Sequence, residues 1–496
     1  MKKSIIPLFV VLVPLLTAAQ VGDLPRSTPA EQGISTEAVI QFIDSLVAVP
    51  ETQIHHAMVL RHGQVVAEVH PAPFRAADSH TLYSCSKTFV SLAVGRAIDE
   101  NRLRLTDRVA AFFPERLPDS ISDHLAAMTV RDLLVMSSGI TPDWVMRNNN
   151  TDWIATWLAK PVKEPGKKFE YDSMSTFLLS AIVQRVTGMT TLQYLQSRFF
   201  DAMHITQAEW EESPDGINTG GWGLRVQAET LAKLGLLILN QGAWDGRQLV
   251  SKQWIEQATS KQMECAASTT PPTDGNQGYC YQIWRSKWPG SIRADGAFAQ
   301  YVVMVPQEEL VVVINSLSYK GHDLLACIWN QLMPGLSGQP LPAQPKWQRQ
   351  LDRKCANAAL PTVKGKKNGI LKKSFTITAQ NQPTLTVQMD ENGKLTLCHE
   401  GRTMPLGYKQ WTYDTSSTPA PYTIMAMNRF GGITAPYTTA GTYAWTANNR
   451  LEADVQWVDW ISQRRYVIEL RPDATAHVTI TDNMGKKPTK DYEGHY

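Results

Sequence analysis

Ser84 and Lys87, in the stretch Tyr83-Ser84-Cys85-Ser86-Lys87-Thr88-Phe89-Val90, carry the first chemical signal of this sequence. The apolar residues Phe89, Val90, Leu92, Ala93, Ala97 and Ile98 recur at helical spacing, which puts both side chains near a helix start and on one face. A serine hydroxyl is a weak nucleophile until a base takes its proton. A lysine can be that base only when burial, neighbouring positive charge or the positive end of a helix lowers its pKa. Unpaired N–H groups at the same helix start would also stabilise an oxyanion. The pattern equally describes an N-cap serine followed by a surface lysine, so it needs support from other residues.

The elements that must position these two residues follow from periodicity. A helix is expected over 36–47, then two strands over 56–60 and 65–70 joined at Arg61-His62-Gly63-Gln64. A helix-rich middle follows, with helices over 130–136, 152–158, 173–186, 192–200, 227–239 and 253–259. Strands return over 278–284, 300–305 and 310–315, and a last helix over 324–332. This order predicts an α+β fold: one antiparallel sheet with strands from both ends of the segment, flanked by helices, with an all-helical portion inserted between them. Residues 334–348 are rich in Pro, Gly and Ser and read as a linker. Beyond it, short alternating runs at 375–378, 384–389, 394–398, 422–427, 451–457, 465–470 and 477–481, with turns such as Asn392-Gly393, predict a C-terminal all-β barrel or sandwich over 349–496. No catalytic constellation stands out within it.

A chain of 496 residues suggests two or three domains, and 43% apolar with 19% charged residues is the balance of a folded protein. A net charge of +2 calls for no nucleic-acid partner. Lys2 and Lys3, an apolar run over 5–16 and the small residues Thr17-Ala18-Ala19 read as a signal peptide over 1–19. The mature protein is therefore expected to be exported, periplasmic or secreted, without a membrane span. Six cysteines are widely spaced; Cys265 with Cys280 is the nearest plausible disulfide pair, and Cys85 is expected to be a small buried residue. His55, His56, His62, His70 and His80 crowd the early strands without metal-ligand spacing, and His80 is expected to brace a loop. No metal or cofactor is implied.

Further downstream, Pro165-Gly166-Lys167-Lys168-Phe169-Glu170-Tyr171-Asp172-Ser173, Gly220-Gly221-Trp222-Gly223-Leu224, Ala232-Lys233-Leu234-Gly235, Gly242-Ala243-Trp244-Asp245-Gly246 and Arg293-Ala294-Asp295-Gly296-Ala297-Phe298-Ala299-Gln300-Tyr301 occur in order. Together with Ser84 and Lys87 they resemble the serine β-lactamase and D-alanyl-D-alanine peptidase superfamily, in particular the class C-like branch that includes esterases and 6-aminohexanoate-dimer hydrolases. The resemblance runs over roughly residues 30–333. It implies a β-lactamase/transpeptidase-like fold for residues 20–333, with Ser84 as acyl-accepting nucleophile, Lys87 as its proton partner and Tyr171 as the second general base or acid. A tyrosine ionises near pH 10, so it needs adjacent positive charge to act as a base at neutral pH, and Lys87 could supply it.

Two departures bear on substrate. Ser173 stands where the family often has an asparagine that bonds an acylamide carbonyl. The third motif lacks the lysine or histidine that would meet a β-lactam carboxylate; Arg293 could substitute or point away, and Asp295 would repel a carboxylate if it lined the pocket, or else serve only as a turn residue. Backbone N–H groups near Gly296 or Ala297, with that of Ser84, would form the oxyanion hole. Trp222, Trp153, Trp210 and Trp284 are candidates to wall an acyl pocket, each also a natural core residue. The expectation is an exported serine hydrolase that cleaves a small ester, amide or peptide-like molecule through a Ser84 acyl-enzyme. The alternatives are a β-lactamase or D-alanyl-D-alanine carboxypeptidase, and a penicillin-binding or sensing protein that acylates without turnover.

Overall fold

A computed structural model describes residues 23–147, 152–267, 271–369, 374–391, 394–420, 431–483 and 488–496. The expected signal peptide, the strand expected over 422–427 and the turn Asn392-Gly393 lie outside these. In chain order the first strands are β1 (Thr52–Arg61), β2 (Gln64–Val69), β3 (His80–Thr81), β4 (Ala208–Trp210), β5 (Leu224–Val226), β6 (Ala243–Trp244), β7 (Arg247–Gln248), β8 (Trp284–Arg285), β9 (Ile292–Gly296), β10 (Gln300–Val305) and β11 (Leu310–Ser318).

The main sheet has the order β2-β1-β11-β10-β9-β8 with antiparallel neighbours, so strands from the two ends of the segment meet at the β1–β11 pair. Its centre is buried on both faces, as the run of apolar residues in β11 requires. Leu310, Val312 and Ile314 join one core with the helices Thr36–Ala48 and Gly321–Cys327, while Val311 and Val313 join the other. On that second face lie the helices Ser86–Asp99, Ser173–Thr187 and Ala228–Leu239. Gly235 lets the last of these ride directly on the sheet, since a Cβ there would sit 2.5 Å from a Val311 methyl.

Three local departures have physical causes. Residues 278–283 are irregular rather than a strand: Gln282 is left-handed at φ 63, and its side chain is held by the carbonyls of Leu133 and Leu134 and by the Thr176 hydroxyl, so apart from isolated bridges at Tyr279 the strand starts at Trp284. β9 stands where only a short motif was visible. A helix, Pro345–Ala356, crosses the expected boundary between linker and β domain; proline suits its first position, and Leu351 packs into the core of helix Thr36–Ala48.

Among the described residues the C-terminal sheet has ten strands between Phe375 and His495, including Arg402–Tyr408, Thr412–Ser416 and Tyr437–Ala447, which the sequence pattern did not single out. Its first and last strands meet through two backbone hydrogen bonds of 2.9 Å between Thr378 and His495, which nearly closes a barrel. Among the described residues no helix is long and apolar enough to cross a membrane.

Candidate active site

Ser84 sits in a single 3-10 turn, Tyr83–Cys85, that runs into the buried helix Ser86–Asp99. The turn is pinned from both sides: Leu82 N–H donates to the Leu224 carbonyl at 3.0 Å, and Leu224 N–H donates to Ser86 Oγ at 3.1 Å. Tyr83 is left-handed at φ 48, a conformation costing a non-glycine residue about 1–3 kcal/mol. Its ring is held in a small apolar cluster with Leu317, Ile461 and Phe298.

One turn further on, Lys87 is 1% exposed, and its Nζ lies 3.0 Å from Ser84 Oγ, 3.0 Å from Ser173 Oγ and 2.6 Å from the Gly221 carbonyl. Burial pulls its pKa down to about 7, against the nearby Asp172 carboxylate, which opposes the shift. A neutral amine has two N–H donors and one lone pair. With the Gly221 carbonyl and the Ser173 hydroxyl as acceptors, the lone pair is left for the Ser84 hydroxyl proton.

The helix Ser173–Thr187 delivers the next two groups. Asp172 is its N-cap, accepting from Met174 N–H at 2.9 Å, Ser175 N–H at 3.2 Å and Trp157 Nε1–H at 3.0 Å. This cap fixes Ser173 at the first helical position, facing Lys87, and Tyr171 just before it. The Tyr171 phenol shares a hydrogen bond with Ser84, and Lys87 Nζ lies 4.9 Å from its ring centroid. Burial raises the phenol's pKa above its ordinary value. Burial thus works against both charged forms, the lysine ammonium and the tyrosinate.

Opposite the serine, β9 brings Gly296 against the nucleophile turn, where a Cβ would lie 2.3 Å from the Leu82 carbonyl oxygen and 3.2 Å from Cys85 N. No other residue allows so close an approach. Ala297 borders the same cavity, and the turn after it holds Phe298 and Ala299 left-handed at φ 63 and 64. The cavity has a volume of about 400 Å³. Ser84, Tyr171, Ser173, Asp295 and Ala297 line it, as do Asp172, Trp284 and the loop residues Pro142, Asp143, Trp144 and Met146.

Four residues expected as candidates to meet substrate lie elsewhere. Trp222 is fully buried away from the cavity, donating its Nε1–H to Glu211 at 2.9 Å. Trp153 and Trp210 are core residues as well, so of the four tryptophans only Trp284 reaches the pocket. Arg293 is 3% exposed: its Nη1 donates to the carbonyls of Asp274 and Arg285 and to Ser286 Oγ, its Nε donates to Asp295 Oδ2, and its guanidinium lies 5.6 Å from the Trp284 ring centroid. It shares the strand face of Asp295 and, held by these partners, does not itself border the cavity. Asp295 does line the pocket.

The sequence reading missed the Gly221 carbonyl as a lysine acceptor and the whole 142–146 loop; neither carries a side-chain pattern that marks it. Cys85 is buried, with its Sγ–H on the Gln300 carbonyl, and Cys265 and Cys280 are unpaired, each donating to a separate carbonyl. His80 braces β3 through His55 Nδ1 and the Thr81 carbonyl, both at 2.8 Å. Among the described residues no cluster of His, Cys, Asp or Glu is arranged to hold a metal.

A two-faced antiparallel sheet, an inserted helical region and a Ser-x-x-Lys turn opening the central helix define the β-lactamase/transpeptidase class of folds. The Beta-lactamase family model matches residues 40–326, more than half of the chain, and the chain belongs to that family, whose members are serine hydrolases. It is 26% identical over 324 residues to a 6-aminohexanoate-dimer hydrolase from Paenarthrobacter ureafaciens, covering 60% of this chain and 82% of the relative. A putative 6-aminohexanoate-dimer hydrolase from Bacillus anthracis superposes with a TM-score of 0.51 at 18% identity, over 63% of this chain and 86% of that one. A putative beta-lactamase from Bacteroides dorei does so with a TM-score of 0.50 at 16% identity, over 65% of this chain and 99% of that one. These two likenesses concern the fold.

Proposed function

We propose that this protein is an exported serine hydrolase that cleaves a small ester or amide through an acyl-enzyme on Ser84. The observation that carries this reading is the Lys87 amine, stripped of water, driven towards its neutral form near pH 7 and held 3.0 Å from Ser84 Oγ. Lys87 takes the hydroxyl proton as Oγ bonds to the substrate carbonyl carbon. The resulting oxyanion lies between the backbone N–H groups of Ser84 and Ala297, each such donor contributing about 3 kcal/mol to the barrier reduction. On collapse the carbon–leaving-group bond breaks, and Tyr171, neutral and beside Ser84, donates the proton that the leaving oxygen or nitrogen needs. Lys87 then returns its proton to the phenolate, and water attacks the acyl carbonyl as its proton passes to the neutral amine; on collapse the bond from the acyl carbon to Oγ breaks, Lys87 gives that proton to Oγ, and the acid leaves with Ser84 restored.

Amide cleavage is consistent with the relative named a 6-aminohexanoate-dimer hydrolase. A β-lactamase or carboxypeptidase reading is less well supported: Asp295 lines the pocket, among the described residues no basic side chain does, and Ser173 replaces an amide donor with a hydroxyl. Hydrolysis of a short-chain nitrophenyl ester, compared with that of a chromogenic cephalosporin, separates these readings. The ester should be turned over faster, and Ser84→Ala should abolish its turnover. Ester hydrolysis that survives Ser84→Ala would reject the proposal, and a covalent adduct that forms without release of acid would favour a sensor. Export rests on residues 1–19: N-terminal sequencing of the natively expressed protein should begin at Gln20, and a retained Met1 would contradict it.

A further inference from the structure

We infer that Glu211 is a positioning residue for the general base: with Trp210 and Trp222 it clamps the 219–223 loop, so that the Gly221 carbonyl meets Lys87 Nζ. This rests on the Ser84 reading above. Glu211 directly follows β4 and grips the loop at three points. Its N–H donates to the Gly223 carbonyl at 3.1 Å, its own carbonyl accepts from Thr219 N–H at 2.9 Å, and its Oε2 accepts from Trp222 Nε1–H at 2.9 Å. The preceding residue adds a further hold. Trp210 Nε1–H donates to the Trp222 carbonyl at 2.7 Å, and the same carbonyl accepts from Thr219 Oγ1 at 2.6 Å. All four residues, Trp210, Glu211, Thr219 and Trp222, are buried.

Trp222 is thus fixed both at its side chain and at its carbonyl, which leaves little freedom to the peptide that joins it to Gly221. That peptide carries the carbonyl 2.6 Å from Lys87 Nζ. The loop also lies against the start of the Ser173 helix, where a Cβ on Gly221 would sit 2.5 Å from the Ser173 carbonyl oxygen. Contact with the helix and the clamp together fix where the Gly221 carbonyl points. Tryptophans bonded in a core can serve stability alone. These two differ in that the backbone they hold is bonded to the base.

A lysine amine turns freely about its last bond, so its acceptors decide where the lone pair points. Ser173 Oγ takes one N–H at 3.0 Å and the Gly221 carbonyl takes the other, which aims the lone pair at Ser84. Proton transfer then changes what the carbonyl is worth. Once Lys87 holds the Ser84 proton it is an ammonium, and its bond to the carbonyl becomes charge-assisted, about twice as strong as a neutral one. An interaction that strengthens as the proton moves lowers the barrier to acylation. Glu211 touches neither substrate nor reacting atoms and acts only through the loop.

The test reads the burst rate of Ser84 acylation by a nitrophenyl ester in the full-length protein. Glu211→Met and Trp222→Phe each remove the bond between the two side chains, whereas Glu211→Gln keeps an acceptor for the indole. The first two should lower the limiting burst rate about tenfold, the difference between a charge-assisted and a neutral hydrogen bond, without raising the ester concentration for half-saturation. Glu211→Gln should restore the wild-type rate. The groups that face Lys87 are Asp172 at the helix cap, Cys85 in the nucleophile turn and the Tyr171 ring, and the variants alter none of them. Because the carbonyl favours the ammonium, weakening its bond should also move the ascending limb of the burst rate to lower pH. Glu211→Met should add no loss in a Lys87→Met background, whereas a clamp that serves only stability would slow both backgrounds alike. Trp210→Phe removes one donor from the Trp222 carbonyl and leaves the other, so it should shift the limb in the same direction even where the stronger variants do not fold. A wild-type burst rate in folded Glu211→Met and Trp222→Phe, a limb that stays or rises, or an equal loss in the Lys87→Met background would overturn the inference. No acyl group on Ser84 of the wild type would instead reject the nucleophile assignment.

Discussion

Lys87 must be uncharged to accept a proton, and burial sets the pH at which that becomes true. Because its pKa is pulled down to about 7, the unprotonated fraction grows as pH rises through that value and shrinks below it. The kcat/KM for an ester should therefore climb through about pH 7 to a plateau. Lys87→Met should remove the ascending limb and cost about two to four orders of magnitude in rate, the usual range for a lost general base. A limb that persisted in the variant would mean another group controls the reaction. At Gly296 the constraint is steric, since any Cβ collides with the Leu82 carbonyl. Gly296→Ala should lower kcat well beyond its effect on thermal stability, because β9 must retreat from the serine. Stability loss without loss of turnover would remove β9 from the catalytic account.

At the scale of elements, the helix Ser173–Thr187 does two jobs through one cap. Asp172 anchors the helix start, and its charge also raises the Lys87 pKa against the effect of burial. Asp172→Asn keeps a capping oxygen but removes the charge, so the acid limb of the pH profile should move below pH 7, while Asp172→Ala should also cost about 1 kcal/mol in helix stability. A limb that moved upward would reverse the electrostatic assignment. These elements also explain what the sequence could disclose. Ser84 and Lys87 were legible because helix geometry couples residues three apart, and Tyr171 because it adjoins a helix start with matching neighbours. Gly221 and the 142–146 loop were not, because a backbone carbonyl and a turn between short helices leave no periodic trace. Where Trp222 and Arg293 point was left open, because residue type does not tell which neighbours will bury a side chain; both turn towards buried partners.

At the scale of the whole molecule, the C-terminal barrel backs the catalytic turn. The Asp459 carbonyl accepts from Thr81 N–H at 3.1 Å, its carboxylate pairs with Arg225 at 3.1 Å, the Trp460 ring lies 4.6 Å from that guanidinium, and Ile461 packs on Tyr83. Arg225 and Thr81 belong to the small sheet that holds the start of the Ser84 turn. The left-handed Tyr83 is thus held by a residue some 380 positions later in the chain, a contact no local pattern foretells, although the alternating strands of the barrel themselves were readable. Ile461→Ala should cost about 2–4 kcal/mol in stability and also slow Ser84 acylation, measured as the burst rate with a nitrophenyl ester. An unchanged burst rate in the folded variant would make the barrel a passenger.

The central claim is that the acyl group passes through Ser84. Rapid acid quenching of nitrophenyl ester turnover, followed by peptide mass spectrometry, tests it most directly. The account predicts the acyl mass on the peptide containing Ser84 in the wild type, with no acylated peptide in Ser84→Ala. An acyl group on any other residue, or full turnover with no acylated peptide at any time, would contradict it.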